Sequence, residues 1–295
     1  MKKFNCGIYG FGFVGKAITQ GLSLTHNLKI YDIKEKVDSF EDTVDNSEFI
    51  FICLPTPMTD VEGGRIDLSI IDGEIDKIAT HLNYKSNKII IIKSTIIPGT
   101  TRRYQDKYPE LNFIFNPEFL TERNARLDFI NTARIVLGGK GKDDPNLRRV
   151  EEMYRARFLH TPIFKTNYET AEFVKYLCNN FFANKVMYFN EQRLVAEKFN
   201  EHCDLISESG GKIHWQEAVR MLLADGRIGN SHYEVPGHDG QLGFGGSCFP
   251  KDLCAYRNWA KDVGAETPIL DEDWEYNKKI REDWDWGKME RAVRR

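Results

Sequence analysis

No stretch of this chain approaches the roughly 20 consecutive apolar residues that cross a bilayer, so the sequence contains no candidate membrane span. Its start, Met1-Lys2-Lys3-Phe4-Asn5-Cys6, runs directly into a strand-like segment and lacks the apolar core of a signal peptide. A charge excess is also missing. With 41 Lys and Arg against 44 Asp and Glu, the formal net charge is -3, which leaves no electrostatic footprint for nucleic acid or an anionic membrane. Six cysteines (Cys6, Cys53, Cys178, Cys203, Cys248, Cys254) are scattered without metal-type pairing, so neither a metal site nor a disulfide framework is expected. Cys6 and Cys53 fall in apolar runs and read as small core residues. This usage fits a reducing, cytoplasmic setting. Internal repeats and low-complexity segments are absent. What remains is a composition 41% hydrophobic and 29% charged over 295 residues, enough for two domains with a sizeable core.

The strand-like run Phe4 to Tyr9 leads into Gly10-Phe11-Gly12-Phe13-Val14-Gly15 and then a helical pattern from Lys16 to Ser23. Strand, G-x-G-x-x-G and helix in that order form a dinucleotide-binding fingerprint. The first glycine makes the turn, the second admits a pyrophosphate, and the third lets helix pack on strand, with the helix N-terminus facing the phosphates. A second strand, Leu28 to Asp32, ends in an acid at the distance expected for the adenine ribose hydroxyls. A carboxylate there repels a 2′-phosphate, so the cofactor should be NAD, with nearby Lys36 able to soften that preference. Further strands are expected at 49–54, 88–92, 134–139 and 161–164, and a helix at 67–82. Strands alternating with helices imply a doubly wound parallel sheet, with ligands at the carboxyl ends of its strands. Thr56, Lys93-Ser94-Thr95 and the segment Asn116 to Glu122 fall at such ends.

From Glu169 to about Asn200 the chain has no proline or glycine, and apolar residues recur at helical spacing. This predicts a helix long enough to join two domains and to pack against a second copy. The fold expected is α/β: an N-terminal doubly wound Rossmann domain (1–166), then a long connecting helix and a small all-α domain (167–295). Asp204 to Gly211 reads as a loop, Trp215 to Leu223 as a helix, and one further helix is expected at 253–263, followed by a charged segment with Trp274, Trp284 and Trp286.

The chemistry is concentrated in Gly243-Phe244-Gly245-Gly246-Ser247-Cys248-Phe249-Pro250-Lys251-Asp252. Its glycines allow the backbone to approach a ligand closely, and a thiol near a cation has its thiolate favoured, as a nucleophile requires. This decapeptide resembles the active-site signature of the UDP-glucose/GDP-mannose dehydrogenase family. Asn116-Pro117-Glu118-Phe119-Leu120-Thr121-Glu122, Ala171 to Lys175 with Asn179, and Asp225-Gly226-Arg227-Ile228-Gly229 resemble other segments of that family.

The resemblance implies a nucleotide-sugar 6-dehydrogenase that oxidises a primary alcohol to a carboxylate with two NAD, Cys248 carrying the substrate as a thiohemiacetal and then a thioester. UDP-glucose to UDP-glucuronate is the first candidate reaction; GDP-mannose or UDP-N-acetyl-hexosamine types are alternatives. It implies cofactor contacts from Gly10, Gly12, Phe13, Val14, Gly15, Asp32, Lys36, Thr56, Thr95, Glu122 and Lys251. Substrate contacts would come from Glu118, Phe119, Leu120, Lys175, Asn179, Phe244 and Gly245, and from Arg227 of a neighbouring subunit in a homodimer. Lys175 and Asn179 would stabilise an oxyanion, Asp252 or Glu122 would move protons or activate water, and Thr95 belongs to the same expected catalytic set. Family members usually continue into a domain for the nucleotide, for which this chain shows no counterpart. The tryptophans, with extra residues at 204–211 and 238–242, are expected to supply a stacking surface for the base instead; a separate partner protein is the alternative. Two other readings remain: a β-hydroxyacid dehydrogenase, which needs no nucleophilic cysteine, and a non-catalytic nucleotide-binding relative.

Overall fold

A computed structural model describes residues 2–206 and 211–294. The chain divides into two compact units: Met1–Pro57 with Ile66–Tyr176, and Met58–Arg65 with Leu177–Arg295.

The first unit is built on β1 (Asn5–Tyr9), α1 (Phe13–Leu22), β2 (Asn27–Tyr31), α2 (Phe40–Asp45), β3 (Phe49–Ile52), α3 (Ser69–His81), β4 (Ile89–Ile92), α4 (Thr100–Lys107), β5 (Asn112–Phe115), α5 (Ala125–Ile130), β6 (Ile135–Gly139), α6 (Pro145–Arg155) and β7 (Ile163–Asn167). The seven strands lie in the order β2-β1-β3-β4-β5-β6-β7. The central runs Phe49-Ile50-Phe51-Ile52 and Ile89-Ile90-Ile91-Ile92 are buried at every position, as strands covered on both faces must be. One face packs Ile8, Phe51, Ile91 and Leu137 with Ile18 and Leu22 of α1 and Val150 and Tyr154 of α6. The other packs Ile50, Ile90 and Phe113 with Ile71, Ile75 and Ile78 of α3. Truncating one such isoleucine to alanine costs about 2–5 kcal/mol.

The sheet is not wholly parallel. β6 pairs with β5 antiparallel, through Phe115 and Gly138, and β7 runs parallel to β6. An apolar run reports that both faces of a strand are covered, not which way the strand runs, so this reversal was invisible in the hydropathy pattern.

In the second unit, α7 (Tyr168–Ile206) contributes its residues from Leu177 onward, followed by α8 (Trp215–Leu223), α9 (Phe249–Asp262) and α10 (Pro268–Ile280). α7 is 39 residues long, roughly 58 Å at 1.5 Å per residue. It continues to Ile206, into the stretch expected to be a loop; residues 207–210 of that expected loop lie outside the described residues. α9 begins at Phe249 rather than Leu253, because Pro250 sits in its first turn, where a missing N–H costs nothing. α10 was not anticipated: Thr267-Pro268 opens it, and its apolar face is reduced to Leu270, Trp274 and Ile280 among charges.

The tryptophans overturn an expectation. Trp274 and Trp286 are buried in the core of this unit beside Met58, Ala183, Met187, Leu253 and Cys254. Their Nε1–H groups donate to the carbonyls of Glu62 and Val61, both at 3.1 Å. Trp284 is half-buried and stacks on Trp286, centroids 5.6 Å apart. Buried indoles with satisfied N–H groups seal a core; they are not a surface for base stacking. Residues 58–65 join this core, and Met58 exchanges main-chain hydrogen bonds with Ala292 and Arg294 (2.7 and 2.8 Å).

Candidate active site

At the carboxyl end of β1 each fingerprint glycine has its own reason. Gly10 adopts φ +98°, and a Cβ there would press on the Cys53 carbonyl; a Cβ on Gly15 would collide with the Gly10 carbonyl. Gly12 has nothing within 4 Å of where its Cβ would stand. The loop is closed beneath and open above, at the N-terminus of α1, where Phe13 and Val14 start the helix. This is the shape a pyrophosphate needs. Asp32, following β2, accepts from the Phe11 N–H through Oδ2 and from the Lys34 N–H through Oδ1, both at 2.7 Å. Its carboxylate stands beside the glycine turn, as a ribose-binding acid must. Lys36 is exposed. At the ends of β3 and β4, Thr56 donates to the Thr95 carbonyl at 2.7 Å. These residues fit a bound NAD.

Beyond β5 the chain turns at Asn116-Pro117, and Glu118 is buried. Lys175 of α7 donates to Glu118 Oε1 (2.7 Å) and to the Glu118 carbonyl (2.8 Å), while Glu118 Oε2 accepts from the Leu120 N–H (2.7 Å). A buried ion pair of this kind is costly to break by removing one partner, about 3–5 kcal/mol. Phe119 and Leu120 are half-buried, and the Arg134 guanidinium lies 4.2 Å from the Phe119 ring centroid. Glu122 is exposed and begins a short 3-10 turn, so the two glutamates do not share a helix face although they are four residues apart.

In the second unit, Cys248 occupies the N-cap of α9 and is partly accessible, its Sγ 3.8 Å from Ser247 Oγ. A helix N-terminus favours a thiolate there. In the first turn of α9, the buried Asp252 carboxylate accepts from Asn179 Nδ2 (2.6 Å) and pairs with Lys251. One carboxylate thus receives an amide from α7 and an ammonium from its own helix. Arg227 lies in an exposed loop, paired locally with Asp225.

The glycines of this loop also serve packing: a Cβ on Gly243 would strike the Asn277 amide, and one on Gly245 would strike Arg281 and Asp285. Only Gly246, at φ +76°, faces open space. Phe244 has its ring in the core and its N–H and C=O committed to Asn277 (2.7 and 3.0 Å).

Several residues that the motifs did not single out support these groups. Lys93, wholly buried, donates to Asn116 Oδ1 (3.0 Å) and the Pro117 carbonyl (3.3 Å), which anchors the turn that presents Glu118. Burial lowers its pKa to about 8. A cavity of about 30 Å³, room for water, is lined by Lys93, Asn116, Glu118, Arg134 and Tyr154 among others. Glu172 caps α4 by accepting from the Gly99 and Thr101 N–H groups (2.6 and 2.8 Å), and burial raises its pKa to about 7. Asn180, 5% exposed, has no hydrogen-bond partner for either amide atom among the described residues. The roles of Lys93 and Glu172 rest on partners distant in sequence; locally, Lys93 lay in a strand-end segment and Glu172 inside the Ala171–Lys175 segment, while Asn180 carried no signal.

Comparison with known proteins agrees with this arrangement. Residues 24–158 match the NAD binding domain of the UDP-glucose/GDP-mannose dehydrogenase family, and residues 169–279 match its central domain. The UDP-glucose 6-dehydrogenase TuaD of Bacillus subtilis is 31% identical over 80% of this chain and 47% of its own length. The chain spans between a quarter and half the length of the curated relatives it matches. A UDP-glucose dehydrogenase from Pyrobaculum islandicum superposes with a TM-score of 0.77 at 24% identity, covering 94% of this chain and 68% of that one. A 3-hydroxyisobutyrate dehydrogenase from Mycobacterium tuberculosis gives 0.65 at 16% identity, covering 96% and 95%. At these identities both solved structures show the fold alone. With NAD-binding and central domains both matched in sequence, and the glycine turn and Asp32 shaped for that cofactor, the chain belongs to the UDP-glucose/GDP-mannose dehydrogenase family and uses NAD.

Proposed function

We propose that this chain oxidises the primary alcohol of a sugar nucleotide to a carboxylate, with UDP-glucose to UDP-glucuronate as the first candidate reaction. The observation that carries this reading is Cys248 at the N-cap of α9, with Asp252 held by Asn179 and Lys251 in the turn behind it. A dehydrogenase that stops at a ketone or aldehyde needs no such thiolate; one that proceeds to an acid does. This separates the reading from the β-hydroxyacid chemistry of enzymes that share the fold.

NAD, when bound, supplies a two-electron oxidant, and two equivalents are needed: alcohol, two NAD and water give carboxylate, two NADH and three protons. Gly10, Gly12 and Gly15 with the first turn of α1 would hold its pyrophosphate and Asp32 its ribose hydroxyls, with Thr56 and Thr95 at the strand ends beyond. Cys248 Sγ forms a bond to the aldehyde carbon and retains that carbon through the thioester. Lys175 and Asn179 donate to the substrate oxygen on which negative charge develops; Lys175 exchanges its Glu118 partner for that oxygen. Asp252 accepts the proton of the attacking thiol or water. Arg227, exposed and paired with Asp225, reaches the substrate of a second copy in a homodimer.

With Trp274 and Trp286 sealed in the core, two of the three rings expected to stack on the nucleobase are committed elsewhere, so we expect weak binding of UDP-sugars by this chain, strengthened by a partner that covers the nucleotide. The deciding experiment counts NADH formed per molecule of UDP-glucose, GDP-mannose or UDP-N-acetylmannosamine. Two per substrate, abolished by Cys248→Ala with NADH binding intact, is the expected result. One per substrate establishes ordinary alcohol oxidation, and none with any sugar nucleotide refutes the enzyme reading.

A further inference from the structure

The loop that carries Cys248 is held from one side by a buried cation. Arg281, its side chain 2% exposed, follows α10 and spreads its guanidinium over four acceptors. Nε donates to the Asp283 carbonyl (2.9 Å), Nη1 to the Leu242 carbonyl (3.3 Å), and Nη2 to Asp285 (3.2 Å) and to Asp239. Asp285 in turn accepts the Gly246 N–H with both oxygens, at 3.0 and 3.2 Å. Gly246 is two residues from the thiol and lies in the left-handed region, where a peptide left to itself has other options. Asp239 belongs to the 238–242 segment that the family signature does not require.

We propose that Arg281 and Asp285 are positioning residues for Cys248, and that Asp239 completes a lock tying the 238–242 segment to the same loop. The proposal rests on the reading of Cys248 as nucleophile. The physics is specific. A guanidinium presents five donors in a rigid fork, which an ammonium cannot reproduce. One cation between two carboxylates offsets their mutual repulsion; without it Asp239 and Asp285 repel, and Asp285 is driven off the Gly246 N–H. Gly245 must lack a Cβ because Arg281 and Asp285 press against its backbone, so the glycine signature itself records the lock. The Gly246 peptide then sets where Cys248 enters the N-cap of α9.

The test compares Asp285→Asn, Asp239→Asn and Arg281→Lys with the unaltered full chain. Turnover is measured with NAD and a UDP-sugar, and iodoacetamide labelling of Cys248 is followed against pH by peptide mass spectrometry. Cys178, also partly accessible, is the internal reference. We expect Asp285→Asn to lower kcat roughly ten- to hundredfold with KM for NAD unchanged, and to alter the Cys248 labelling profile several-fold while Cys178 labelling stays the same. Asp285→Glu should restore part of the loss. If Asp285→Asn lowers the melting temperature yet leaves Cys248 labelling and kcat unchanged, the pair is merely structural and the proposal fails. Asp285→Asn is isosteric, so the result stands even if Arg281→Lys does not fold. Should the unaltered chain turn over no sugar nucleotide, the proposed function falls while the labelling comparison still decides the lock.

Discussion

Asn179 Nδ2 donates to Asp252 Oδ2 at 2.6 Å, a bond that fastens the first turn of α9 to α7. Asp252 is 1% exposed and its other oxygen belongs to Lys251, so its charge is compensated from two sides. Removing the amide leaves a buried carboxylate with Lys251 as its one side-chain partner among the described residues.

Asn179→Ala should therefore cost about 1.5–3 kcal/mol of stability, the range for a hydrogen bond to a charged group. Asp252→Asn, nearly isosteric, should cost less stability but lower kcat by about 100-fold or more, the scale of general acid–base catalysis. Urea unfolding and steady-state kinetics of both variants check this. A fully active Asp252→Asn enzyme would remove Asp252 from proton transfer.

Asp32 predicts selectivity for NAD over NADP. Asp32→Ser, combined with the nearby Lys36, should raise use of NADP and weaken NAD. Both changes follow from losing one carboxylate next to a 2′-hydroxyl or 2′-phosphate. Equal kinetics of the unaltered chain with both cofactors would defeat the assignment.

The part of α7 in the second unit exposes Leu177, Phe181, Tyr188, Val195 and Phe199. Their spacings of four and seven place them on one side of a helix, an apolar stripe of the kind that marks an interface. We expect a homodimer through this stripe, and Phe181→Glu should dissociate it in light scattering. Mixing inactive Arg227→Ala and Lys175→Ala chains should restore activity if Arg227 serves the second copy.

Lys93 predicts a pH effect of definite sign. Burial is the main cause of its lowered pKa; Cys53 and Glu118 oppose the shift and Lys175 adds to it. Its folded-state value is about 8 against 10.5 when unfolded. Between these values the folded chain has released a proton that the unfolded chain keeps. The favourable contribution is complete above the unfolded value and is lost as pH falls through the folded one, on the order of 3 kcal/mol over the whole window. Lys93→Met should flatten the rise in stability from about pH 8 to about pH 10 relative to the unaltered chain, as measured by urea unfolding.

Read along the chain, the residues alone determined what local pattern encodes. The Gly10–Gly15 turn and Asp32 identified a dinucleotide site because each role depends on neighbours within one strand–turn–helix unit. The span without glycine or proline after Glu169 announced α7, since only continuous helix uses such a run. The Cys248 loop stood out in sequence for the same reason, its glycines, thiol, lysine and aspartate lying within ten residues. Tertiary structure decided the rest, because the deciding partners are far apart in sequence. The direction of β6, the passage of residues 58–65 into the second unit, and the burial of Trp274 and Trp286 leave no periodic trace. Neither does Asp285 reaching back 39 residues to Gly246. A tryptophan on a charged segment reads the same whether it faces water or a core. Only the packing of Val61, Met58 and Leu253 around the indoles settles which, because burial is a property of the whole surface that surrounds a residue.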